Sequence, residues 1–359
     1  MNICVPKERR PFEFRVGLSP IAVEALSQAG HTVFVEHEAG LGAGYQDAEY
    51  EKAGARILYS IDEVFGRADI LMKIARPTDQ ELDWLQPGTT MLGFLHMAST
   101  RQSKVEALIK SKITAVAYEQ IREADGSLPV LRPFSQVGGS MTAEIAARLL
   151  HSDHGGRGIL LGGIPGVPPA EVVILGAGTA GSYATRAFTG CGAHVTVLDK
   201  DLGALQRVSQ YTANVATLPS NEHNILRTIE YADVLIGAVL VPGERAPLLI
   251  TREMVKRMKP HSVIIDICID QGGCVETSHP TTHDHPTFVE EGVIHYCVPN
   301  MPGVVARTAT NGFINAALPY ILDMVNLGVD QAAKKNPAIE QGVTLYQGEL
   351  RHLSRLMKR

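Results

Sequence analysis

The stretch "EVVILGAGTAGSYATRA" (171–187) constrains this chain more than any other. An apolar run ends in Gly176, Gly178 and Gly181 at the spacing G-x-G-x-x-G, and a helical pattern follows. Each glycine has its own task there: a tight turn, close backbone approach to a pyrophosphate, and close packing of helix on strand. Thr179 and Ala180 open the helix, whose N-terminal N–H groups would face the phosphates. The next apolar run, "AHVTVLD", ends at Asp199, where a carboxylate can accept the adenine ribose hydroxyls. An acid there repels a 2′-phosphate and favours NAD over NADP, with Lys200 next door working against that preference. The plain alternative is a strand-to-helix turn with no ligand; the surrounding pattern favours the nucleotide.

Short apolar or β-branched runs alternate with helical patterns along most of the chain, the signature of parallel sheets with crossover helices. Strands are expected at 2–6, 31–37, 69–74, 89–96 and 113–119, with helices near 20–29 and 101–111. A second series runs from a helix at 140–151 through the Gly/Pro-rich loop 162–170 to strands at 171–178, 194–199, 232–238 and 261–269. The glycine cluster "AGLGAGY" (39–45) leads into no convincing helix and is read as a loop. From about Thr308 the pattern is helical with no strand expected, and that segment must bury its apolar face against something. At 359 residues the chain exceeds what one core usually fills. The expectation is an α/β protein with two Rossmann-like domains built on parallel sheets. Residues 1–128 and 308–359 would form a discontinuous substrate domain, with residues 129–307 inserted as the NAD-binding domain.

Composition narrows the function. A net charge of −5 lacks the basic footprint of nucleic-acid or membrane-surface binders, so the expected partner is a small molecule. The N-terminus "MNICVPKERRPFEFR" carries charge where a signal peptide needs an apolar core, and no run reaches the ~20 apolar residues of a membrane span. The expected location is the cytoplasm. Cys4, Cys191, Cys268, Cys274 and Cys297 form no CxxC pair and are read as packing residues. In "CVETSHPTTHDHP" (274–286), Cys274, His279, His283 and His285 match no zinc spacing, so a structural loop without a metal is expected.

Ligand-binding residues of parallel sheets lie just beyond the carboxyl ends of strands. His96 ends "TTMLGFLH", Asp270 follows "HSVIIDICI", Lys73 lies near the end of "DILMKI", and Arg15 comes soon after the first strand in "FEFRVGLSP". These residue types suit amino-acid redox chemistry. Arg15 can hold a carboxylate in a bidentate pair. His96 can exchange a proton with an amine or carbinolamine, and Asp270 can stabilise a cationic imine. Each has an alternative: a satisfied structural histidine, a turn former before Gln271-Gly272-Gly273, and a surface ion pair. In "LMKIARP" (71–77), Lys73, Ala75 and Arg76 mark the end of an interior strand as the floor of a site for an anionic substrate.

At this point the chain resembles a known family. "VPKERRPFEFRVGLSP", "GGRGILLGGIPGVPPAEVVILGAGTAG", "IGAVLVPGERAP", "DICIDQGGCVETSHPTTHDHPTF" and "CVPNMPG" are similar to the alanine dehydrogenase and proton-translocating transhydrogenase family, from Asn2 to beyond Ala333, and most to its alanine dehydrogenase branch. The resemblance implies reversible NAD-dependent oxidative deamination of L-alanine to pyruvate and ammonia, and a homo-oligomer, a hexamer or a dimer-based assembly. By motif, Arg15 matches the substrate-carboxylate arginine, His96 the acid/base histidine and Asp270 the catalytic aspartate. Asn300 and Met301 match the loop that closes over substrate and nicotinamide. Ser135, Asp199, Val239 with Leu240, and Ile267 match cofactor contacts, as does Asp270.

The departures are local. Alanine dehydrogenases typically read K-V-K-E-P where this chain has "KIARP", so Ala75 stands in place of the second lysine and Arg76 in place of the glutamate. Transhydrogenase subunits read K-V-Q-R-P, which Lys73 and Arg76 resemble better. Arg132 stands where alanine is common, and Ser140 where the family usually has arginine. Three readings follow. The chain is an amino-acid dehydrogenase or imine reductase for another substrate, with Arg76 or Arg132 supplying charge; or Lys73 or an arginine replaces the missing lysine and alanine is the substrate; or the chain binds NAD(H) without dehydrogenase chemistry. The first is favoured.

Overall fold

The computed structural model describes residues 1–97, 100–210, 215–241 and 245–352. Residues 242–244 of "IGAVLVPGERAP" and the last residues of the helical C-terminal segment, 353–359, lie outside the described residues. The chain divides into two compact units, Met1–Phe134 with Pro302–Arg359, and Ser135–Met301.

The first unit begins with β1 (Asn2–Val5), β2 (Thr32–Glu36), β3 (Arg56–Leu58), β4 (Ile70–Ala75), β5 (Thr90–Phe94) and β6 (Thr114–Ala117). The second holds β7 (Glu171–Leu175), β8 (His194–Asp199), β9 (Val215–Pro219), β10 (Val234–Gly237), β11 (Val263–Asp266), β12 (Thr287–Glu290) and β13 (Val293–Tyr296). After Pro302 come β14 (Val343–Tyr346) and β15 (Glu349–Leu350). The first sheet runs β15-β14-β6-β5-β4-β1-β2-β3 and the second β12-β13-β11-β10-β7-β8-β9. Pairing is parallel except at β12–β13, β6–β14 and β14–β15.

Parallel strands are covered on both faces, so they read as continuous apolar runs. In β4, Ile70, Met72 and Ile74 join a cluster with Phe313, Ile321 and Met324 of the helix Ala306–Leu327. Leu71 points the other way, to Phe65 and Met91. The same division in β7 sends Val172 and Ile174 to one cluster and Val173 and Leu175 to another. Burying each such side chain contributes roughly 1.5–3 kcal/mol, which holds strand register against slippage.

The C-terminal segment corrects the expectation of an all-helical return. Three helices, Ala306–Leu327, Val329–Lys335 and Pro337–Gly342, lead into β14, which adds antiparallel to β6. Gln347 and Gly348, both at positive φ (50° and 85°), turn β14 back into β15, the conformation that two-residue hairpins require. The helix expected at 140–151 starts earlier, at Arg132, because Pro133 lacks only an N–H that the first turn leaves unbonded anyway. Among the described residues no helix is long and apolar enough to cross a membrane.

Candidate functional site

The glycine turn is built as its spacing demands. Gly176 sits at φ +104°. A Cβ on Gly181 would stand 1.8 Å from the Gly176 carbonyl oxygen, so only glycine lets the helix Thr179–Gly190 approach the strand. Gly178, the residue before that helix, has nothing within 4 Å of where its Cβ would be. That open space at a helix N-terminus, where the first N–H groups have no intrahelical partner, fits a pyrophosphate. Asp199 at the end of β8 accepts the Ala177 N–H on Oδ2 at 2.6 Å and the Asp201 N–H on Oδ1 at 2.8 Å, so its carboxylate is oriented from both sides. The helix Arg132–Leu149 brings Ser135 along and touches the turn at Gly139, whose Cβ would lie 2.2 Å from the Ala180 carbonyl oxygen. On that helix the Ser140 hydroxyl donates to the Gln136 carbonyl.

Val239 adjoins the same turn, its Cγ1 lying 3.3 Å from where a Gly176 Cβ would stand, and Leu240 next to it is exposed. Asp266 caps the 3-10 turn Ile267–Gln271 by accepting the Cys268 N–H. That turn leaves Ile267 half-buried and Asp270 exposed, and Asp270 accepts the Asn300 N–H at 3.2 Å. Asn300 is held at φ +57°, while Met301 is buried in the core. In the loop that follows, Cys274 groups with Cys268 and Asp266 and with none of His279, His283 or His285 among the described residues.

In the first unit the charged residues assemble around β4. A Cβ on Gly17 would lie 2.3 Å from the Met72 carbonyl oxygen, so the segment carrying Arg15 is pressed onto this strand. Arg15 is 5% exposed, and its Nε and one terminal nitrogen donate to the two Glu13 oxygens at 2.7 and 2.5 Å. Its guanidinium also lies 4.2 Å from the Phe134 ring centre. The ion pair considered for Arg15 therefore exists, but in the interior.

Lys73 is the main correction. The expectation placed its cation before an anionic substrate, yet Lys73 is 0% exposed and its Nζ donates to Glu81 Oε1 at 2.7 Å and Glu8 Oε2 at 3.0 Å. Burial alone would lower its pKa; the two carboxylates more than offset that and raise it, so it stays an ammonium. Glu81 divides its carboxylate, because its second oxygen accepts the Thr78 N–H in a capping box at the helix Asp79–Trp84. Burial would raise the Glu81 pKa, but Lys73 and Thr78 bring it below the usual carboxylate value. Glu8 is held above that value by burial, against the pull of Lys73.

Glu8 also explains the local backbone. Met72 pairs with Leu92 and Ala75 with Phe94, so β4 carries a bulge, and Glu8 Oε1 accepts the freed Ile74 and Ala75 N–H groups at 2.7 and 3.3 Å. The bulge breaks the simple alternation that would put Lys73 and Ala75 on one face. Ala75 and Arg76 are half-buried, the Arg76 carbonyl accepts the Arg10 Nε–H, and Arg132 is exposed.

His96 follows β5 at φ +44°, a left-handed conformation that costs a non-glycine residue free energy. Glu119 holds it there: its carboxylate accepts the His96 N–H at 2.6 Å and the Leu95 N–H at 3.2 Å. Thr100 Oγ1 bonds to the carbonyls of the same two residues.

Comparison with known proteins matches residues 4–138 to the family described as Alanine dehydrogenase/PNT, N-terminal domain, and residues 142–353 to its C-terminal domain. The chain belongs to the alanine dehydrogenase/PNT family. It is 46% identical to an alanine dehydrogenase of Methanococcus maripaludis and 42% identical to one of Mycobacterium tuberculosis, each over 98% of this chain and 94% of the relative. A solved L-alanine dehydrogenase superposes with a TM-score of 0.91 at 43% identity, covering 98% of this chain and 97% of that one. A transhydrogenase from Sinorhizobium meliloti, at 24% identity and a TM-score of 0.83, shares the fold over 98% of this chain and all of its own.

Within this member of the family, Glu8, Glu13, Glu81 and Glu119 escaped the sequence reading. Only Glu81 left a local signal, the Thr78-x-x-Glu81 capping-box pattern. Glu13 pairs with Arg15 only two residues on, through no motif that marks it, while Glu8 and Glu119 act on residues and backbone that the chain brings to them from elsewhere.

Proposed function

We propose that this chain is an NAD-dependent amino-acid dehydrogenase that oxidises a small L-amino acid to its 2-oxo acid and ammonia, reversibly, with a substrate preference shifted away from alanine by Ala75. Full-length similarity to alanine dehydrogenases supports the NAD-dependent reaction and the small amino-acid substrate. The observation that carries the shifted preference is the closed set of ion pairs around Lys73. With its ammonium enclosed by Glu8 and Glu81, Lys73 is unable to stand in for a lysine at position 75.

Bound NAD would supply the hydride acceptor; Gly176–Gly181 would hold its pyrophosphate and Asp199 its adenine ribose. Ser135, Thr179, Ala180, Val239, Leu240 and Ile267 border it. Arg15, locked by Glu13 through one edge, presents its remaining N–H donors to the substrate carboxylate. His96 takes and returns the proton of the reacting nitrogen or carbinolamine hydroxyl, and Asp270 stabilises positive charge on the imine. Asn300 and Met301 close over the substrate, with Arg76 and Arg132 as sources of positive charge. The active protein is a homo-oligomer in the cytoplasm.

Removing one cation from a closed site costs a few kcal/mol of transition-state stabilisation, on the order of a hundredfold in kcat/KM for alanine. NAD reduction across the common L-amino acids, and NADH oxidation with 2-oxo acids plus ammonia or primary amines, tests the reading. The expected result is turnover with another small amino or oxo acid, and a gain of tenfold or more for alanine in Ala75→Lys. Alanine as the best substrate of the unmodified chain would overturn the shifted preference. NADH binding with no turnover of any of these substrates would overturn the enzyme.

A further inference from the structure

Three side chains with no part in that reaction converge at the carboxyl ends of β10 and β11. Asp266 ends β11, Cys268 lies on the turn behind it, and Cys274 follows Gly272 and Gly273, whose positive φ (98° and 77°) folds the chain back. A sulfur from each cysteine and an oxygen of Asp266 all lie within 4.8 Å of one another, and all three residues are buried. Cys274 Sγ is 3.7 Å from Asp266 Oδ1. Gly237, the neighbour of Asp266 in the β10–β11 register, leaves the space for this group: its Cβ would stand 2.4 Å from Cys274 Sγ and 3.1 Å from Asp266 Oδ1.

We infer that Cys268, Cys274 and Asp266 form a site for a thiophilic divalent cation, zinc or cadmium, with a fourth position left to water. Tetrahedral zinc with bonds of about 2.3 Å to sulfur and about 2.0 Å to oxygen places ligand atoms roughly 3.5–3.8 Å apart, a spacing the Cys274–Asp266 pair already has and the group as a whole, within 4.8 Å, reaches by contracting up to ~1 Å. The donor set also has its outer hydrogen bonds. Val239 N–H donates to Cys268 Sγ at 3.1 Å, and the N–H groups of Cys268, Cys274 and Val275 donate to the Asp266 carboxylate. Such bonds orient ligands and offset the negative charge that two thiolates and a carboxylate bring together. Binding breaks two S–H bonds, releases two protons to solvent and forms two metal–sulfur bonds, with no change of oxidation state.

The turn that carries Cys268 also carries Ile267 and Asp270. Drawing the sulfurs together moves that turn by up to ~1 Å, and such a misplacement costs on the order of a hundredfold in rate. The metal therefore inhibits; this consequence rests on the dehydrogenase reading, and the site itself does not.

Full-length protein, reduced and freed of metal, is titrated with cadmium chloride while the ultraviolet thiolate-to-cadmium absorbance and the rate of NAD reduction with its best amino-acid substrate are followed. The expected result is saturation near one cadmium per chain, lost in Cys268→Ser and Cys274→Ser and kept in Cys191→Ser, which alters an exposed cysteine. X-ray absorption on the unmodified complex should count two sulfur neighbours, a measurement that needs no variant to fold. Absence of a saturable signal, loss of it in Cys191→Ser, or fewer than two sulfurs would overturn the site. Saturable binding with unchanged turnover supports the site and overturns its inhibitory consequence.

Discussion

The glycine turn of the second unit is made of backbone, and the charged cluster of the first is made of side chains. Around Gly176 and Gly181 the decisive quantities are the space denied to a Cβ and the N–H groups that a first helical turn leaves without an intrahelical partner; the Asp199 carboxylate braces the turn through Ala177. Around β4, Glu8, Glu13 and Glu81 face Arg15 and Lys73, all of them almost without solvent contact. Burying an ion costs several kcal/mol, recovered only while every partner stays in place. The backbone site is thus vulnerable to added volume, and the side-chain site to a lost partner.

The most damaging change should be Lys73→Met, which leaves Glu8 and Glu81 buried without their cation. Denaturant unfolding should show a loss of ~3–5 kcal/mol, with partial recovery when Glu8→Gln and Glu81→Gln are added. A loss under ~1 kcal/mol would break the contrast between the units. The pH dependence carries a sign. Glu81 is depressed, so its contribution is present above its unfolded-state pKa and is lost as pH falls through the folded one. Lys73 is raised, so its contribution is present below its unfolded-state pKa and is lost as pH rises through the folded one. The difference between unmodified protein and variant should be flat near neutrality and shrink at both extremes. Glu8, raised by burial, has the opposite sign and makes the acid side shallower.

The same contrast decides what was legible in the sequence. The glycine turn and β8 lie in contiguous residues whose spacing and apolarity follow from local geometry, so Gly176, Gly178, Gly181 and Asp199 could be read directly. Lys73 was visible as a charge at the end of a strand, but its partner Glu8 is 65 residues away in sequence, and no local pattern announces that pairing. The bulge in β4 likewise depends on Glu8. The strands β3, β9 and β12 to β15 were missed because each is short, five residues or fewer, which leaves little apolar periodicity to read even where, as in β13, every residue is buried. His96 was singled out by residue type and its place at a strand end, whereas its left-handed backbone and the contacts of Glu119 belong to tertiary structure.

In the backbone site, Gly181→Ala should cost ~1–3 kcal/mol of stability, because its methyl group displaces helix from strand, and should weaken NADH binding about tenfold or more. Gly178→Ala separates packing from binding. Its methyl group enters open space, so stability should change by less than ~1 kcal/mol while NADH affinity, read by nucleotide fluorescence, falls as strongly. Equal loss of stability in both would break the assignment of Gly178 to the pyrophosphate. Asp199→Asn should act more mildly, lowering NAD affinity by a few-fold to tenfold, ~1 kcal/mol, and raising the use of NADP relative to NAD. An unchanged ratio would remove the ribose assignment.

The smallest expected effect is the sharpest test of the side-chain site, because Glu119 touches no reacting atom. Its carboxylate accepts the N–H groups of Leu95 and His96 and so maintains the positive φ of His96. Glu119→Gln keeps one acceptor oxygen and turns a donor NH2 toward the other N–H, which should cost ~1 kcal/mol in stability. It should lower kcat a few-fold, with KM nearly unchanged. A stability loss alone could produce less folded enzyme, so turnover is normalised to NADH-binding sites. The decisive comparison is made with His96→Ala. If Glu119 acts on turnover only by positioning His96, Glu119→Gln has nothing left to reduce once His96 is absent, and the double variant should retain the residual rate of His96→Ala. Its stability cost should persist, since the Leu95 and His96 N–H groups are still there. Multiplicative losses in turnover would instead give Glu119 an effect on the reaction independent of His96.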